Sequence, residues 1–347
     1  MHNGKALKTE QTEKTIEDSF YDLSPDLIID AVESQGYLCD LRILALNSYE
    51  NRVYQVGIED SLPLIAKFYR PKRWTDEQIL EEHQFSQQLR DNDIPVIPAI
   101  RDEQGNSLYH SQDYRFALFE RKGGRAPELS DHEHLYQLGR YIGRIHATGA
   151  SSAYQHRPSI NTEAFLTEPY EYLLKAEFIP DYLMPAYTSL MQDLIQHVLD
   201  AYHKIEFTNI RLHGDCHVGN ILWTDHGDNK GPEFLDFDDS RMGPAVQDIW
   251  MLLSGTEDEQ RLQLQEILEG YEEFYAFNKA EIGLIESLRT MRLVHYAAWI
   301  AKRWQDPAFP MAFPWFGEQR YWEQHILELR EQLANLQHKP LDMQFNR

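Results

Sequence analysis

The sequence predicts an α+β fold with two lobes, a small β-rich N-terminal lobe and a large α-helical C-terminal lobe. Three observations support this prediction. The chain has 347 residues, more than one small hydrophobic core usually organises. Strand-like patterns are concentrated before residue 122, and helix-like patterns dominate after it. Gly123-Gly124 interrupts both patterns, so we divide the chain into a polar N-terminal segment (1–22), an N-lobe (23–122) and a C-lobe (123–347).

The N-lobe is predicted to combine a sheet with two helices. Asp26 to Ser34 indicates a short amphipathic helix, since Pro25 precedes it and Gly36 follows it. Residues 75–91 indicate a second helix that buries an apolar face. The strand-like runs are 41–46, 52–58, 62–69, a short one near 107–110, and 114–120.

The C-lobe is predicted to be mainly helical. Leu135, Leu138, Ile142 and Ile145 form one apolar stripe at helical spacing. Further helices are expected over 187–203, 247–254, 257–277, 281–304 and 317–337.

Composition limits the kinds of partner and compartment. Asp+Glu number 56 against 33 Lys+Arg, a formal net charge of -23 that repels nucleic acid. There is no apolar run of membrane-spanning length and no signal-peptide pattern at the N-terminus. Two cysteines in a chain of this size favour a reducing compartment. We therefore expect a cytoplasmic monomer without nucleic-acid or membrane partners.

Two acidic motifs indicate phosphoryl transfer. Residues 213–220 read His-Gly-Asp-Cys-His-Val-Gly-Asn, so Asp215 and Asn220 have the spacing of the Asp and Asn in a kinase catalytic loop. Asp236 follows in Leu-Asp-Phe-Asp-Asp, where a kinase places a metal-binding aspartate. We expect Asp215 to be the catalytic base, and Asn220 and Asp236 to hold Mg²⁺ against ATP, with Asp236 also counted as catalytic. Asp238 and Asp239 fit exposed turn residues better.

Lys67 is the candidate phosphate-binding cation. It lies in the apolar run Ile65-Ala66-Lys67-Phe68, which is similar to the Val-Ala-Ile-Lys strand of kinases. The helix that follows carries Glu81 and Glu82, and one of them could pair with Lys67. Counting back from the Pro-Val pair after the helix favours Glu82.

The remaining nucleotide contacts are predicted from position. The turn Asn47–Arg52 lacks the glycines of a kinase phosphate loop, but its backbone N–H groups and the Ser48 hydroxyl could still meet phosphate. The alternative is a plain polar hairpin. Phe119 and Arg121, on either side of Glu120, are expected at the interlobe hinge that contacts adenine.

Three other features have a structural and a functional interpretation. His213 is expected to brace the loop, through Asp248, more than to act in catalysis. Cys216 lies beside the proposed base and could be a nucleophilic thiol, although Asp215 already supplies the chemistry. Tyr296 and Trp299 could bind a quaternary amine by cation–π contact, but their spacing is more typical of a helix core.

The motifs resemble a known family. His-Gly-Asp-x-His-x-Gly-Asn, Asp-x-Asp and Gly-Pro-x-x-x-Asp are similar to those of the aminoglycoside phosphotransferase-like kinases, over about Leu23 to Trp322. Residues 46–54, 67–71, 212–223, 243–252 and 306–310 resemble a bacterial branch of serine/threonine protein kinases linked to envelope and oxidative stress. The resemblance implies a kinase-like fold and a cytoplasmic enzyme. It also implies that Asp215 accepts the proton, that Asn220 and Asp236 bind Mg²⁺, and that Ser48 contacts ATP.

The acceptor is less constrained than the donor. Asp238 and Gly243 are too close for the long activation segment on which protein kinases dock peptides. A small-molecule hydroxyl kinase, for choline, homoserine or an aminoglycoside, remains an alternative. A third possibility is a kinase-like scaffold that binds partners without phosphoryl transfer, but the intact catalytic residues of this chain argue against it. We expect protein substrates with accessible Ser or Thr, and autophosphorylation in the N-terminal segment. The candidate self-sites there are Thr9, Thr12, Thr15 and Ser19.

Overall fold

The computed structural model describes residue 20 and residues 22–225, 230–338 and 341. The chain forms two compact units. The first comprises Met1–Arg125 with Glu233–Asp238, and the second comprises Ala126–Pro232 with Asp239–Arg347.

A sheet of five antiparallel strands organises the described part of the first unit. The predicted strands are present, with small shifts at their ends. They are β1 (Cys39–Ala45), β2 (Arg52–Ile58), β3 (Leu64–Tyr69), β4 (Tyr109–Ser111) and β5 (Tyr114–Glu120). Their order in the sheet is β1-β2-β3-β5-β4. In the central strand β3, Lys67 lies opposite Val53 of β2 and Ala117 of β5.

Two capped helices accompany this sheet, both within one residue of the predicted bounds. Helix α1 (Pro25–Glu33) begins after Ser24, whose hydroxyl accepts a hydrogen bond from the N–H of Leu27 at 3.2 Å. Helix α2 (Asp76–Asp91) begins with a reciprocal capping box between Thr75 and Gln78. One face of α1 packs into the apolar core that the sheet provides.

Residues 233–238 belong to the first unit, although the sequence pattern placed everything after residue 122 in the C-lobe. Backbone hydrogen bonds explain the assignment. The N–H of Phe234 donates to the carbonyl of Pro95 at 2.8 Å, and the N–H of Ile97 donates to that of Phe234 at 3.1 Å. The Phe237 ring packs edge-on against Phe85 of α2. Linear sequence patterns could not reveal this return of the chain.

The second unit is mainly helical, as predicted. Helix α7 (Glu257–Tyr271) ends at Tyr271, not at 277. Asn278 then caps a separate 3₁₀ turn, Lys279–Leu284, that leads into α8 (Ile285–Arg303). The short helices α4 (Glu168–Lys175) and α9 (Ala308–Ala312) were not predicted. The helices are α3 (His132–Gly149), α4 (Glu168–Lys175), α5 (Met184–Lys204), α6 (Val246–Trp250), α7 (Glu257–Tyr271), α8 (Ile285–Arg303), α9 (Ala308–Ala312) and α10 (Gln319–Gln337).

Helices α3 and α7 approach each other through glycines. A Cβ atom at Gly139 would lie 1.9 Å from the carbonyl oxygen of Ile267, and one at Gly143 would lie 2.5 Å from that of Tyr271. Real side chains never reach such distances, so only glycine permits this backbone approach.

Short strands frame the loop that carries Asp215. Strand β6 (Ile210–Arg211) precedes it and pairs with β9 (Met242–Gly243), while β7 (Ile221–Thr224) follows it. Strand β8 (Gly231–Phe234) leads to Asp236. Within the described ranges, no helix is both long enough and apolar enough to cross a membrane.

Candidate active site

The loop before Asp215 is fixed by a buried carboxylate on α6. Asp248 accepts hydrogen bonds from the backbone N–H groups of His213 at 2.7 Å and Gly214 at 2.8 Å. The imidazole that contacts Asp248 belongs to His146, at 3.0 Å. The predicted brace through Asp248 is therefore present, but it uses the backbone of His213 and the side chain of a histidine that the sequence did not single out.

Asp215 is held by two basic side chains. Nη1 of Arg292, on α8, lies 2.7 Å from Oδ1 of Asp215, and Nε2 of His217 lies 3.3 Å from Oδ2. Burial by itself would raise the pKa of this carboxyl, but the His217 hydrogen bond and the Arg292 charge outweigh it, and the pKa is lowered. Asp215 consequently stays ionised and able to accept a proton.

Asn220 is tied to the same loop. It ends the 3₁₀ turn Val218–Asn220, and its amide nitrogen donates to the backbone carbonyl of Asp215 at 3.0 Å. With the nitrogen used inside the loop, the amide oxygen is the polar atom that remains to meet a cation. A neutral oxygen of this kind suits Mg²⁺.

Lys67 meets the aspartates of the second motif. Its ammonium nitrogen lies 2.6 Å from Oδ1 of Asp236 and 3.6 Å from Oδ1 of Asp238. Burial opposes the charge of Lys67, but the carboxylates of Asp236, Asp238 and Glu82 reverse that effect and raise the pKa. The strand lysine is therefore a buried cation whose charged form the neighbouring carboxylates favour.

Asp236 adopts a left-handed backbone conformation, with a φ of +61°. Residues with a Cβ rarely occupy this region, but aspartate does so more often than most. The side chain is 48% exposed, so its second carboxylate oxygen is accessible, and oxygen is the ligand that Mg²⁺ prefers. Across the described residues, no cluster of three or more His, Cys, Asp or Glu side chains could hold a metal ion.

Asp238 corrects a prediction. The sequence favoured an exposed turn residue, but only 4% of Asp238 is exposed. Arg73 pairs with its Oδ2 and Lys67 with its Oδ1. A buried carboxylate is stable only with such partners, and neither partner is near in sequence, which is why the motif alone suggested a surface position.

The other predicted nucleotide residues also lie in the first unit. Glu82 is buried on α2, whereas Glu81 is partly exposed, and the Glu82 charge acts on Lys67. The direct salt bridges of Lys67 are with Asp236 and Asp238, and Glu82 acts on it through its charge. A direct Lys67–Glu82 pair stays a prediction. The Ser48 hydroxyl donates to the carbonyl of Asn51 at 3.0 Å.

The predicted hinge residues lie at the end of β5. Phe119 pairs with Ile65 in the sheet and contacts His83 with its ring, while Arg121 is exposed just beyond the strand. Nothing in these contacts assigns them to adenine, and that role stays a prediction.

Cys216 favours its structural interpretation. Cys216 is fully buried, and burial, with the nearby charges of Asp248 and Asp215, raises the pKa of its thiol well above the usual value. A protonated thiol is a poor nucleophile.

The aromatic pair on α8 is only partly in the core. Trp299 is partly buried and packs against Phe309 and Phe313, whereas Tyr296 is 40% exposed and stacks on Trp299. The helix-core interpretation therefore does not hold for Tyr296.

Two functional candidates escaped the sequence reasoning. Arg292 lies 77 residues after Asp215, and Arg73 lies 165 residues before Asp238. Helical spacing marks Arg292 only as a solvated position, because charged residues on an exposed helix face are common. No local pattern could identify either of them.

Comparison with known proteins decides the family. The family model described as "Phosphotransferase enzyme family" matches residues 42–284, more than half of the chain. This chain belongs to the phosphotransferase enzyme family. The resemblance inferred from the motifs is thereby confirmed, and the match spans both Lys67 and the loop of Asp215.

Relatives of this phosphotransferase include named kinases. The Escherichia coli protein "Stress response kinase A" is 47% identical over 325 residues, covering 94% of this chain and 97% of the relative. The Salmonella typhimurium protein "Serine/threonine protein kinase RdoA" is 44% identical with the same coverage. The chain is therefore a kinase, as predicted.

Solved structures support the fold. The amicoumacin kinase hAmiN, in complex with AMP-PNP, Ca²⁺ and Ami, has a TM-score of 0.67 at 16% identity, covering 98% of this chain and 97% of its own. A microcompartment-associated aminopropanol kinase has a TM-score of 0.66 at 19% identity, covering 90% and 99%. The predicted kinase-like fold, with a β-rich N-lobe and a helical C-lobe, is confirmed.

Proposed function

We propose that this kinase transfers the γ-phosphoryl group of ATP to serine or threonine hydroxyls of proteins, with Mg²⁺, in a bacterial stress response. The observation that carries the proposal is the 2.6 Å ion pair between Lys67 and Asp236. It joins the strand cation and the metal-binding carboxylate that kinases direct at one nucleotide. The names of the relatives support the acceptor class and the stress response.

Asp215 is proposed as the proton acceptor. Arg292 and His217 keep its carboxylate ionised. The acceptor oxygen forms a bond to the γ-phosphorus while the bond from that phosphorus to the β–γ bridging oxygen breaks. The hydroxyl proton passes to Asp215, and ADP leaves with the bonding electron pair.

Asn220 and Asp236 are proposed to hold Mg²⁺. One offers an amide oxygen and the other a half-exposed carboxylate, both of them ligand types for this ion. When bound, Mg²⁺ would supply positive charge to the phosphates of the nucleotide. Lys67 is proposed to exchange its contact with Asp236 for phosphate oxygens, with Glu82 supporting its charge.

The remaining contacts and partners complete the proposal. Ser48 is assigned to the phosphate loop, and Phe119 and Arg121 to the adenine-binding hinge. We expect a cytoplasmic monomer whose partners are proteins with accessible Ser or Thr, without nucleic-acid or membrane partners. The candidate self-sites in the N-terminal segment lie outside the described residues.

An acceptor panel tests this function. The pure protein is incubated with labelled ATP and Mg²⁺, together with generic protein acceptors or with choline, homoserine and aminoglycosides. The proposal predicts label on Ser and Thr of the proteins. Efficient turnover of a small alcohol with unlabelled proteins would instead assign the small-molecule activity, and no transfer to any acceptor would contradict the kinase proposal.

A further inference from the structure

We propose that Arg73 is a positioning residue that couples the proposed nucleotide loop, residues 47–51, to the metal-binding segment at Asp236. The inference rests on the proposed function for the roles of these two segments. The coupling itself is carried by ion pairs within the first unit.

The nucleotide loop is held by arginines in place of the usual glycines. Nε of Arg70 donates to the carbonyl of Glu50 at 2.8 Å, and its Nη2 donates to that of Tyr49 at 3.0 Å. Nη1 of Arg52 also donates to the carbonyl of Tyr49, at 2.9 Å. The backbone N–H of Arg70 donates to the side chain of Asn51 at 3.1 Å. These side-chain contacts therefore fix the conformation of a loop that lacks the glycines of a kinase phosphate loop.

The side chain of Glu50 continues these contacts away from the loop. Its Oε1 lies 3.2 Å from Nε of Arg70 and 3.7 Å from Nε of Arg73. Glu50 is 12% exposed and Arg73 is 15% exposed, so solvent screens the pair only weakly.

The other end of the Arg73 guanidinium contacts the proposed metal-binding segment. Its Nη1 pairs with Oδ2 of Asp238, while Oδ1 of Asp238 lies 3.6 Å from Lys67. Lys67 in turn contacts Asp236 at 2.6 Å. Glu50, Arg73, Asp238, Lys67 and Asp236 thus form a chain of alternating charges, which we call the ionic chain.

The role proposed for Arg73 in the ionic chain requires arginine. Its guanidinium presents Nε to one carboxylate and Nη1 to another, a forked geometry that a lysine ammonium lacks. When Lys67 turns to phosphate, as proposed, Asp238 loses the contact with Lys67. Arg73 then keeps this buried carboxylate compensated and still holds Glu50. A substitution at Asp238 should therefore change the backbone hydrogen exchange of the nucleotide loop.

Hydrogen exchange on the protein without nucleotide tests the coupling directly. We compare backbone exchange in a peptide covering residues 47–51 for the wild type, Arg73→Gln, Asp238→Asn and the double variant. Asp238→Asn should speed exchange in this loop by at least about twofold, the lower end for coupled neighbours. In the Arg73→Gln background, the same change should have no further effect. Unchanged loop exchange in Asp238→Asn, or an equal effect in both backgrounds, would overturn the proposal.

Two variants separate coupling from general loss of stability. Arg42→Gln removes an arginine from the exposed pair with Asp40 in the same sheet, outside the ionic chain, and should leave loop exchange unchanged. Arg73→Lys keeps the charge and should restore the thermal midpoint lost in Arg73→Gln, but not the response to Asp238→Asn. A full restoration of that response by lysine would contradict the forked role.

Binding of a fluorescent ADP analogue distinguishes the inference from the proposed function. The wild type should bind more tightly with Mg²⁺ than without it, and Arg73→Gln should reduce that gain by at least about twofold. An unchanged gain would count against Arg73. A wild type that binds no nucleotide would contradict the proposed function, while the exchange experiment would still decide the coupling.

Discussion

Arg292 controls the ionisation of the proposed base, and this gives a prediction at the scale of one residue. Its charge is among the causes that lower the pKa of Asp215. A lowered pKa keeps the carboxylate ionised as the pH falls, so removing the cation should protonate Asp215 at a higher pH. Arg292→Ala should therefore move the acid limb of the kcat/KM profile to higher pH.

The control for Arg292 lies one turn earlier on α8. Arg289 pairs with Glu286 and Gln260, so Arg289→Ala should leave the acid limb in place. His217 also contacts Asp215, so both profiles are repeated in a His217→Gln background. If Arg292→Ala leaves the acid limb in place, Arg292 does not set the ionisation of the proposed base.

Asp236 gives a second prediction at this scale. Its half-exposed carboxylate is the proposed charged ligand of Mg²⁺, so Asp236→Asn should raise the Mg²⁺ concentration that gives half-maximal activity and should lower turnover. Asp239→Asn is the matched control, since Asp239 is a neighbouring partly exposed carboxylate that pairs with Arg241. If the Mg²⁺ dependence changes in Asp239→Asn but not in Asp236→Asn, the metal assignment is wrong.

At the scale of elements, the glycine contacts of α3 with α7 predict a loss of stability. Alanine is favoured over glycine inside a helix by about 1 kcal/mol. At Gly139, however, the added Cβ would meet a backbone carbonyl at 1.9 Å, and overpacking of this kind costs about 1–3 kcal/mol or more. Gly139→Ala should thus lower the free energy of unfolding in urea.

The matched substitution for Gly139 lies in the linker. At Gly123, a Cβ would find its nearest atom 4.0 Å away, so Gly123→Ala should be close to neutral. Equal stability of the two alanine variants would mean that α3 and α7 do not approach as closely as described.

The same elements show how far sequence reasoning reaches. Hydrophobic patterns located most strands and helices, because a buried helix face such as that of α1 repeats at a local spacing. The 3₁₀ turn at Lys279–Leu284 was missed, since 257–277 and 281–304 read as two uninterrupted helices. Chain order also concealed the return of residues 233–238 to the first unit, which depends on hydrogen bonds with Pro95 and Ile97.

The candidate site residues show the same limit. Asp215, Asn220 and Asp236 could be proposed from the sequence because their spacing is a local pattern with a chemical meaning. Arg292 and Arg73 were not, because each contacts its carboxylate across a separation of 77 or 165 residues. A sequence pattern encodes spacing along the chain but not pairing across it.

For the whole molecule, the short stretch between Asp238 and Gly243 predicts how activity is regulated. Kinases switched by loop phosphorylation order a long activation segment through new arginine–phosphate pairs. This chain has only a few residues there, so it should transfer phosphate without prior modification. Protein co-expressed with a phosphatase, and shown by mass to be unmodified, should be active at once. Activity that appears only after a lag with ATP would contradict this prediction.

Asp215 is proposed to support phosphoryl transfer to protein hydroxyls. This role is tested by comparing the wild type with Asp215→Asn, using labelled ATP, Mg²⁺ and generic protein acceptors, with phosphopeptide mapping of the product. We expect label on Ser and Thr for the wild type, and a loss of roughly 10²–10⁴-fold in the variant, the usual scale for a general base. Nucleotide affinity should be unchanged in the variant. Near-normal transfer by Asp215→Asn, or wild-type label confined to small alcohols, would contradict the claim.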